Sequence, residues 1–229
     1  MKLIGIDDAG RGPVLGPMIL AGILINSKED EKNLKEIGVK DSKLLFPSTR
    51  KKISKILKEK YKYEAISTSA KEIDNSLARG TNLNQVEAIK TAKIINKLTE
   101  KENSEKEKIH VIIDCPSINK SSWQDFLIQY LTKDALNKIT ISCEHKADLR
   151  HFVVGAASII AKEKREDEIK QLKKDLNIDF GSGYPSDPKT KDFLLNNHTN
   201  SKYENLIRTS WQTYKNLINK KDEKQEKLF

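Results

Sequence analysis

The order of apolar and polar positions along the chain predicts a sheet with helices packed against it. Short continuous apolar runs are typical of buried strands, and strict alternation is typical of a strand with one exposed face. The segment 63–69 alternates, and the segments 3–6, 18–25 and 109–113 are nearly continuous apolar runs. The predicted strands are 3–6, 18–25, 63–69, 109–113 and 139–143. We expect the first two to pair with each other, because only a short connection joins them.

Helices are predicted where apolar residues recur with the period of a helix face. Pro47 stands at the start of the first of them, which is a favoured place for proline. The longest pattern begins near Asp148, where a carboxylate suits the positive end of the helix dipole. The predicted helices are 48–61, 70–77, 83–98, 121–131, 147–176, 189–196 and 203–217. Strands that alternate with helices in this way predict an α/β domain with a central sheet.

Composition adds a strong positive charge to this picture. The 229 residues include 42 lysines and arginines against 33 aspartates and glutamates, a formal net charge of +9. Such an excess favours a nucleic acid or an anionic membrane surface as partner. No apolar run approaches the ~20 residues that a membrane span requires, and the N-terminus lacks the apolar stretch of a signal peptide. We therefore expect a cytoplasmic protein that does not bind membranes.

The two cysteines, Cys115 and Cys143, agree with a reducing compartment. They do not form a Cys-x-x-Cys pair, and both adjoin predicted strands. Free buried thiols fit this pattern better than a zinc site or a disulfide does.

Four carboxylates occupy positions at which a parallel sheet concentrates function. Asp7 and Asp8 follow the first predicted strand, Asp114 follows the fourth, and Asp148 begins the longest helix. If the two strands are parallel neighbours, their carboxyl ends share one edge of the sheet, where ligands gather. Carboxylates crowded there would repel one another unless divalent cations neutralised them, and oxygen ligands favour Mg²⁺ or Mn²⁺. The alternative for the Asp7 and Asp8 pair is a strand that ends in an ordinary Asp-Gly turn.

A basic surface beside such a site points to cleavage of phosphodiesters. In the two-metal scheme the ions lie ~3.5–4 Å apart, and they activate water and stabilise the leaving oxygen. Other hydrolytic chemistries have less support in the sequence. The histidines lack Glu-x-x-His partners, no Gly-x-Ser-x-Gly turn is present, and no Gly-Lys-Ser/Thr follows Gly-Arg-Gly at 10–12.

Several motifs resemble the signature sequences of type 2 ribonuclease H, the ribonuclease HII family. The first is Gly-Ile-Asp-Asp-Ala-Gly-Arg-Gly-Pro-Val at 5–14. The motifs at 112–117 and 181–188 are closest in wording to the archaeal single-chain members. The other matches follow in the expected order and are Asp-Ser-Lys at 41–43, Asn-Leu-Asn at 82–84, Ile-Ile-Asp-Cys-Pro-Ser at 112–117, His-Lys-Ala-Asp at 145–148, Ala-Ala-Ser-Ile-Ile-Ala-Lys at 156–162 and Gly-Ser-Gly-Tyr-Pro-Ser-Asp-Pro at 181–188.

The resemblance implies both a fold and an activity. The fold is a ribonuclease H-like mixed central sheet flanked by helices. The implied parts are a catalytic domain over 1–198, a helical extension over 199–219 packed on it, and a flexible charged tail over 220–229. The activity is a metal-dependent endonuclease that hydrolyses the RNA strand of RNA–DNA hybrids. The family also nicks duplex DNA 5′ of an embedded ribonucleotide and leaves 3′-hydroxyl and 5′-phosphate ends.

The resemblance also implies roles for individual residues. The four family metal ligands correspond to Asp7, Asp8, Asp114 and Asp148, with two divalent ions, Mg²⁺ or Mn²⁺. The turn that grips the ribonucleotide corresponds to Gly10, Arg11 and Gly12, and the tyrosine that senses the 2′-hydroxyl corresponds to Tyr184. Lys43 and Lys162 are expected at substrate phosphates. For Lys162, a surface lysine on a charged helix is the alternative.

One position departs from the family pattern. The family normally has glutamate directly after the first aspartate, and this chain has Asp8. Aspartate is one methylene shorter, and neighbouring strand residues point to opposite faces. Asp8 can therefore join Asp7 only where the strand has already broken. We expect a site that still binds metal, with an altered preference between Mg²⁺ and Mn²⁺.

Two further expectations concern partners and a rival function. The segment from Gln225 to Phe229 faintly resembles a sliding-clamp-binding peptide without its usual aromatic pair, and a charged tail with two apolar final residues is the alternative. We expect a monomer. The rival class is a basic hybrid-binding module whose carboxylates hold a structural cation, and a nuclease for uninterrupted hybrids alone is a related alternative.

Overall fold

The computed structural model describes residues 1–39, 45–102 and 108–226, with side chains up to residue 219. Lys43 and the side chains from Gln225 to Phe229 lie outside the described residues. In the part that is described, no helix combines the length and the apolar character that crossing a membrane would require.

A mixed five-stranded sheet lies at the centre of the fold, in the order β3-β2-β1-β4-β5. Strand β1 pairs antiparallel with β2 and parallel with β4, and β4 pairs parallel with β5. The apolar runs of β1 and β2 are almost wholly buried, as their sequences predict. The strands are β1 Leu3–Ala9, β2 Met18–Ile25, β3 Lys62–Thr68, β4 Ile109–Asp114 and β5 Ile139–Glu144.

Helices connect these strands, and most begin and end close to the predicted positions. The described helices are α1 Lys28–Ile37, α2 Pro47–Lys60, α3 Ala70–Ala78, α4 Leu83–Thr99, α5 Lys120–Ile128, α6 Lys133–Lys138, α7 Phe152–Leu176, α8 Pro188–Asn197 and α9 Gln212–Glu226. Helices α1 and α6 have no counterpart in the predicted set, because each contains only two apolar residues. Their N-caps mark them instead: Ser27 accepts from the Asp30 N–H, and Thr132 accepts from the Ala135 N–H.

Three predicted boundaries are wrong. Strand β1 runs on to Ala9, because Asp7 and Asp8 stay paired with Ala21 and Leu20 of β2. The helix predicted over 147–176 is divided into a 3₁₀ turn at Ala147–Leu149 and α7. Asp148 therefore lies in the turn that precedes the long helix.

The helix predicted over 203–217 is also interrupted. A 3₁₀ turn occupies Ser201–Tyr203, and α9 begins only at Gln212. Between them, Ile207 forms an antiparallel bridge with Leu15, and the Arg208 N–H donates to the Val14 carbonyl at 2.9 Å. Pairing with a distant segment takes the main-chain groups that a continuous helix would use.

Packing divides the chain into two compact units, and each unit is assembled from three segments. The separation of a domain over 1–198 from an extension over 199–219 stays a prediction, as does the mobility of 220–229, where α9 continues to Glu226. The first unit comprises Met1–Ala9, Ile19–Ile66 and Leu83–Lys164, and the second comprises Gly10–Met18, Ser67–Asn82 and the chain from Arg165 onward.

Each unit has its own apolar core. In the first, side chains of β2 pack against α7, among them Ile19, Ile23 and Ile160, all fully buried. In the second, the ring centroids of Phe180 and Phe193 lie 5.8 Å apart, and those of Phe193 and Tyr203 lie 5.0 Å apart. Aromatic pairs at these separations add to the stabilisation that their burial provides.

Both cysteines are free thiols, as predicted. Cys115 is buried and Cys143 is partly exposed. A hydrogen bond from Cys143 lowers the pKa of Cys115 to about 7, against the opposing effect of burial.

Candidate active site

Three carboxylates meet at the carboxyl edge of the sheet. The parallel register pairs Ile6 of β1 with Ile113 of β4, so the next residues, Asp7 and Asp114, lie side by side on the two strands. Asp148 reaches the same place from the 3₁₀ turn that follows β5. One oxygen atom from each of the three carboxylates lies within 4.8 Å of the others. Asp7 thus forms one acidic pocket with two carboxylates that lie more than a hundred positions further along the chain.

Main-chain and side-chain hydrogen bonds hold this acidic pocket in place. The Asp114 Oδ1 atom accepts from the Ala147 N–H at 3.1 Å, which joins the end of β4 to the turn that carries Asp148. Asp7 accepts from the side chain of Ser158, a fully buried residue of α7. These contacts fix the directions in which the carboxylate oxygens point.

Gly5 allows β1 and α7 to approach each other closely enough for that contact. A Cβ atom at Gly5 would overlap the main chain of Val153 in the first turn of α7. Only glycine fits between two backbones at this distance.

The acidic pocket is built to receive positive charge. Burial raises the pKa of Asp7 well above its ordinary value, and the nearby charges of Asp8 and Asp114 raise it further. Hydrogen bonds from Ser158 and from the Asp8 N–H offset part of this rise. Buried carboxylates in such proximity are tolerated when a divalent cation neutralises them. The oxygen-only donor set of the three aspartates fits Mg²⁺ or Mn²⁺.

Asp8 lies outside the group of three converging carboxylates. Strand β1 is unbroken at this residue, which pairs with Leu20, so the Asp7 and Asp8 side chains leave opposite faces of the strand. Its charge nevertheless acts on Asp7, whose Oδ1 atom accepts from the Asp8 N–H at 2.7 Å. The structure therefore brings together three of the four predicted metal ligands and leaves Asp8 beside them.

The predicted ribonucleotide turn and Tyr184 are neighbours within the second unit. Gly10 has a φ of +86°, and a Cβ atom there would lie 2.5 Å from the side chain of Arg165. A Cβ atom on Gly12 would lie 3.8 Å from the Tyr184 ring, and that ring is 43% exposed. The turn and the tyrosine together offer main-chain groups and a flat aromatic face to a ligand.

The loop that carries Tyr184 is fixed by polar contacts. The Asp187 carboxylate accepts from the Ser182 N–H at 2.6 Å, and the Thr190 hydroxyl accepts from the Gly183 N–H at 3.0 Å. These side-chain hydrogen bonds to the main chain take the place of the regular main-chain hydrogen bonds of a helix or a sheet.

Arg165 packs against the ring of Tyr184. Its guanidinium lies 5.5 Å from the centre of the Tyr184 ring, and the arginine is only 8% exposed. Burial lowers the pKa of Arg165, which nevertheless stays protonated at neutral pH. The cation and the ring form a stacked pair that limits the movement of the tyrosine.

Lys162 is half-buried on α7, one helical turn after Ser158. Residues four apart share a helix face. Lys162 belongs to the first unit, as the three converging carboxylates do.

Among the described residues of the second unit, sequence reasoning missed two buried arginines, Arg165 and Arg208. Arg165 stands in a stretch whose charge predicts solvent exposure. One signal was available, because Arg165 follows the apolar Ala161 by four positions and so falls on the buried face of α7. No comparable signal exists for Arg208.

The mixed sheet, with acidic residues at the carboxyl edge of its central parallel strands, defines a nuclease of the ribonuclease H-like class. A family model described as Ribonuclease HII matches residues 4–214. The chain belongs to the ribonuclease HII family, and it is an endonuclease that degrades the RNA of RNA–DNA hybrids.

Individual relatives agree with this assignment. Ribonuclease HII of Methanocaldococcus jannaschii is 43% identical over 233 residues, which cover 100% of this chain and 99% of that protein. The crystal structure of ribonuclease H2 from Pyrococcus horikoshii OT3 matches with a TM-score of 0.78 at 32% identity, over 96% of this chain and 98% of that one. The structure of a PCNA:RNase HII complex from Archaeoglobus fulgidus matches with a TM-score of 0.78 at 31% identity, over 93% and 96% of the two chains. The predicted family and fold class are confirmed.

Proposed function

We propose that this enzyme also nicks duplex DNA 5′ of a single embedded ribonucleotide, with two divalent ions held by Asp7, Asp114 and Asp148. Asp8 is the fourth acidic residue assigned to this site. The products carry 3′-hydroxyl and 5′-phosphate ends. The convergence of three carboxylates within 4.8 Å supports this proposal most directly, since an acidic pocket in a basic protein suits a metal-dependent phosphodiesterase.

The chain's own residues then divide the work of cleavage. When bound, the two ions lower the pKa of water and stabilise the charge that develops on the leaving oxygen. Asp7, Asp114 and Asp148 bind them. The Ala147 N–H orients Asp114, and the Ser158 hydroxyl orients Asp7. Because these carboxylates are already oriented, little conformational entropy is lost when the scissile phosphate is positioned.

We assign recognition of the ribonucleotide to Gly10, Arg11, Gly12 and Tyr184. A 2′-hydroxyl both donates and accepts hydrogen bonds, and it distinguishes RNA from DNA at a given position. Within the turn, Gly12 is exposed and can offer its main-chain groups to this hydroxyl, and Tyr184 offers a ring face and a phenol. Arg11 can bind a phosphate through two parallel hydrogen bonds. We assign further phosphate contacts to Lys43 and Lys162.

The deciding experiment uses a DNA duplex with one ribonucleotide, incubated with the enzyme with and without Mg²⁺ or Mn²⁺. We expect metal-dependent nicking on the 5′ side of the ribonucleotide. Asp114→Asn should abolish it, and Asp125→Asn, an exposed aspartate of α5, should not.

Two other outcomes would contradict the proposal. Tight binding without nicking would indicate a hybrid-binding module. Cleavage of a continuous RNA–DNA hybrid without cleavage at the single ribonucleotide would indicate a nuclease for uninterrupted hybrids alone.

We also propose that the chain works in the cytoplasm as a monomer and binds a sliding clamp through the segment from Gln225 to Phe229. The Archaeoglobus fulgidus relative was solved in a complex with PCNA, which supports a clamp as partner. Clamp pulldown should be lost when residues 225–229 are deleted, and should persist when the exposed Asp125 is changed to Asn. Capture that survives the deletion would exclude this segment as the contact. Light scattering should give 26.1 kDa for the free protein.

A further inference from the structure

Arg208 is a fully buried arginine that donates hydrogen bonds to main-chain carbonyls. Its Nη2 atom donates to the Gly10 carbonyl at 2.7 Å, and its Nη1 atom donates to the Arg11 carbonyl at 3.1 Å. The Nε and Nη2 atoms both donate to the Gly16 carbonyl, at 3.0 and 2.9 Å. A buried guanidinium is costly unless its donors are satisfied, and here they are directed at one short segment.

Two of these three carbonyls belong to the turn to which ribonucleotide recognition is assigned above. Because a trans peptide is planar, the C=O of Gly10 and the N–H of Arg11 point in opposite directions within one plane. The same holds for the C=O of Arg11 and the N–H of Gly12. Arg208 therefore fixes the directions of two N–H groups by holding the carbonyls behind them.

The arginine is itself held on two sides. The Trp211 ring lies 4.8 Å from the Arg208 Cζ atom. The Asp74 carboxylate of α3 accepts from the Thr209 N–H at 2.7 Å, from its hydroxyl at 2.8 Å and from the Ser210 N–H at 3.3 Å, and it also accepts from the Ser210 hydroxyl. The main chain directly after Arg208 is thus anchored, and this limits where the Arg208 guanidinium can lie relative to the turn.

We propose that Arg208 is a positioning residue for ribonucleotide recognition: by holding the Gly10 and Arg11 carbonyls, it sets the preference of the enzyme for a ribonucleotide over a deoxyribonucleotide. This inference rests on the proposed role of the turn. Lysine keeps the charge and much of the length of arginine, but its compact ammonium group lacks the planar fork that reaches several carbonyls at once. A positive charge alone is therefore not sufficient to hold the Gly10 and Arg11 carbonyls together.

The test measures binding of two matched duplexes without divalent metal, so that nothing is cleaved. One is all DNA, and the other contains a single ribonucleotide at its centre. The ratio of the two dissociation constants gives the preference of the parent, of Arg208→Lys and of a control, Arg50→Lys. Arg50 is also a buried arginine, but it pairs with the Glu163 carboxylate at 2.7 Å and belongs to the first unit.

We expect Arg208→Lys to lose about tenfold of the preference, in line with the cost of a small misplacement of recognition groups. Its affinity for the all-DNA duplex and its Mn²⁺ affinity, measured by calorimetry, should match those of the parent. Arg50→Lys should keep the preference whatever its melting temperature. Asp74→Asn leaves Arg208 in place but weakens the anchor of the main chain after it, and it should lose a smaller part of the preference. This variant provides the test if Arg208→Lys does not fold.

The inference would be overturned if Arg208→Lys, or Asp74→Asn in its place, kept the full preference of the parent at a temperature where both are folded. Arg208 would then serve stability alone. A parent without any preference for the ribonucleotide would overturn the assignment of the turn as well, which separates the two failures.

Discussion

Asp7 is the residue at which function and stability oppose each other. Its carboxylate is almost completely buried, and its pKa is raised because burial and two neighbouring carboxylates disfavour the charge. A carboxylate whose pKa is raised by folding makes the metal-free protein less stable as the pH rises above the unfolded pKa of that group. Binding of a cation reverses this effect, because the ion stabilises only the folded state.

We expect Asp7→Asn to raise the melting temperature in EDTA by a few degrees, which corresponds to about 1 kcal/mol. The same change should lower cleavage by roughly a hundredfold or more, because the metal loses a charged ligand. Addition of Mn²⁺ should stabilise the parent and leave the variant unchanged in a thermal scan. Asp125→Asn serves as the exposed control. A variant that melts below the parent in EDTA would refute this account.

Asp8 allows a test of how far a carboxylate must reach. Asp8→Glu adds one methylene to a side chain whose charge acts on Asp7, so we expect the ratio of the rates in Mg²⁺ and Mn²⁺ to change. Asp8→Asn removes the charge and keeps the length, which separates the two effects. Equal rates and equal metal profiles for Asp8→Glu and the parent would show that this position does not influence the ions.

At this scale the sequence predicts acidic residues better than buried basic ones. A carboxylate that follows a buried apolar run is a candidate ligand near the carboxyl edge of the sheet, and this signal identifies Asp7 within β1 and Asp114 at the end of β4. The burial of Arg208 depends on carbonyls nearly two hundred residues away, and no local pattern contains that information.

Among the elements, β1 and α7 show how a single glycine sets the distance between two backbones. We expect Gly5→Ala to lower the free energy of unfolding by about 3 kcal/mol or more, because the added methyl group would overlap Val153. Gly80→Ala is the matched control. Gly80 has a φ of +86° but open space around it, so only the backbone cost of about 1 kcal/mol applies. Equal costs in urea denaturation would contradict the close approach.

The loop before α8 provides a pH prediction. Hydrogen bonds from the main chain near Ser182 and Lys189 lower the pKa of Asp187. A carboxylate whose pKa is lowered by folding adds stability above its unfolded pKa, and this is lost as the pH falls through the folded value. The difference in unfolding free energy between the parent and Asp187→Asn should therefore be largest above the unfolded pKa of an aspartate and should shrink as the pH falls through the lowered folded pKa. A difference that does not depend on pH would exclude the charge as its source.

The sequence predicts all five strands because each is an apolar or alternating run, and burial of a sheet requires that pattern. It does not predict α1 and α6, which depend on side-chain caps at Ser27 and Thr132. It also joins the turn at Ala147–Leu149 to α7, since a short 3₁₀ turn has no separate periodicity.

On the scale of the whole molecule, the net charge of +9 predicts binding that depends strongly on salt. The affinity for an RNA–DNA hybrid without divalent metal should fall with a slope of about −4 to −6 in a plot of log K against log salt concentration. Arg11→Ala should reduce the magnitude of the slope by about 1, and Tyr184→Phe should leave it unchanged. A slope near zero would show that the charge excess does not contact phosphates.

The two compact units alternate along the sequence, and each is assembled from three segments. Segments 10–18 and 67–82 join the second unit by packing, and packing between distant segments leaves no mark on local composition.

The bond between Arg208 and Gly10 joins residues 198 positions apart, and this has a consequence for biosynthesis. A ribosome produces Asp7, Asp114 and Asp148 well before it produces the guanidinium that steadies the turn. A polypeptide whose translation stops short of Arg208 would contain all three converging carboxylates but would lack the guanidinium that holds the Gly10 and Arg11 carbonyls.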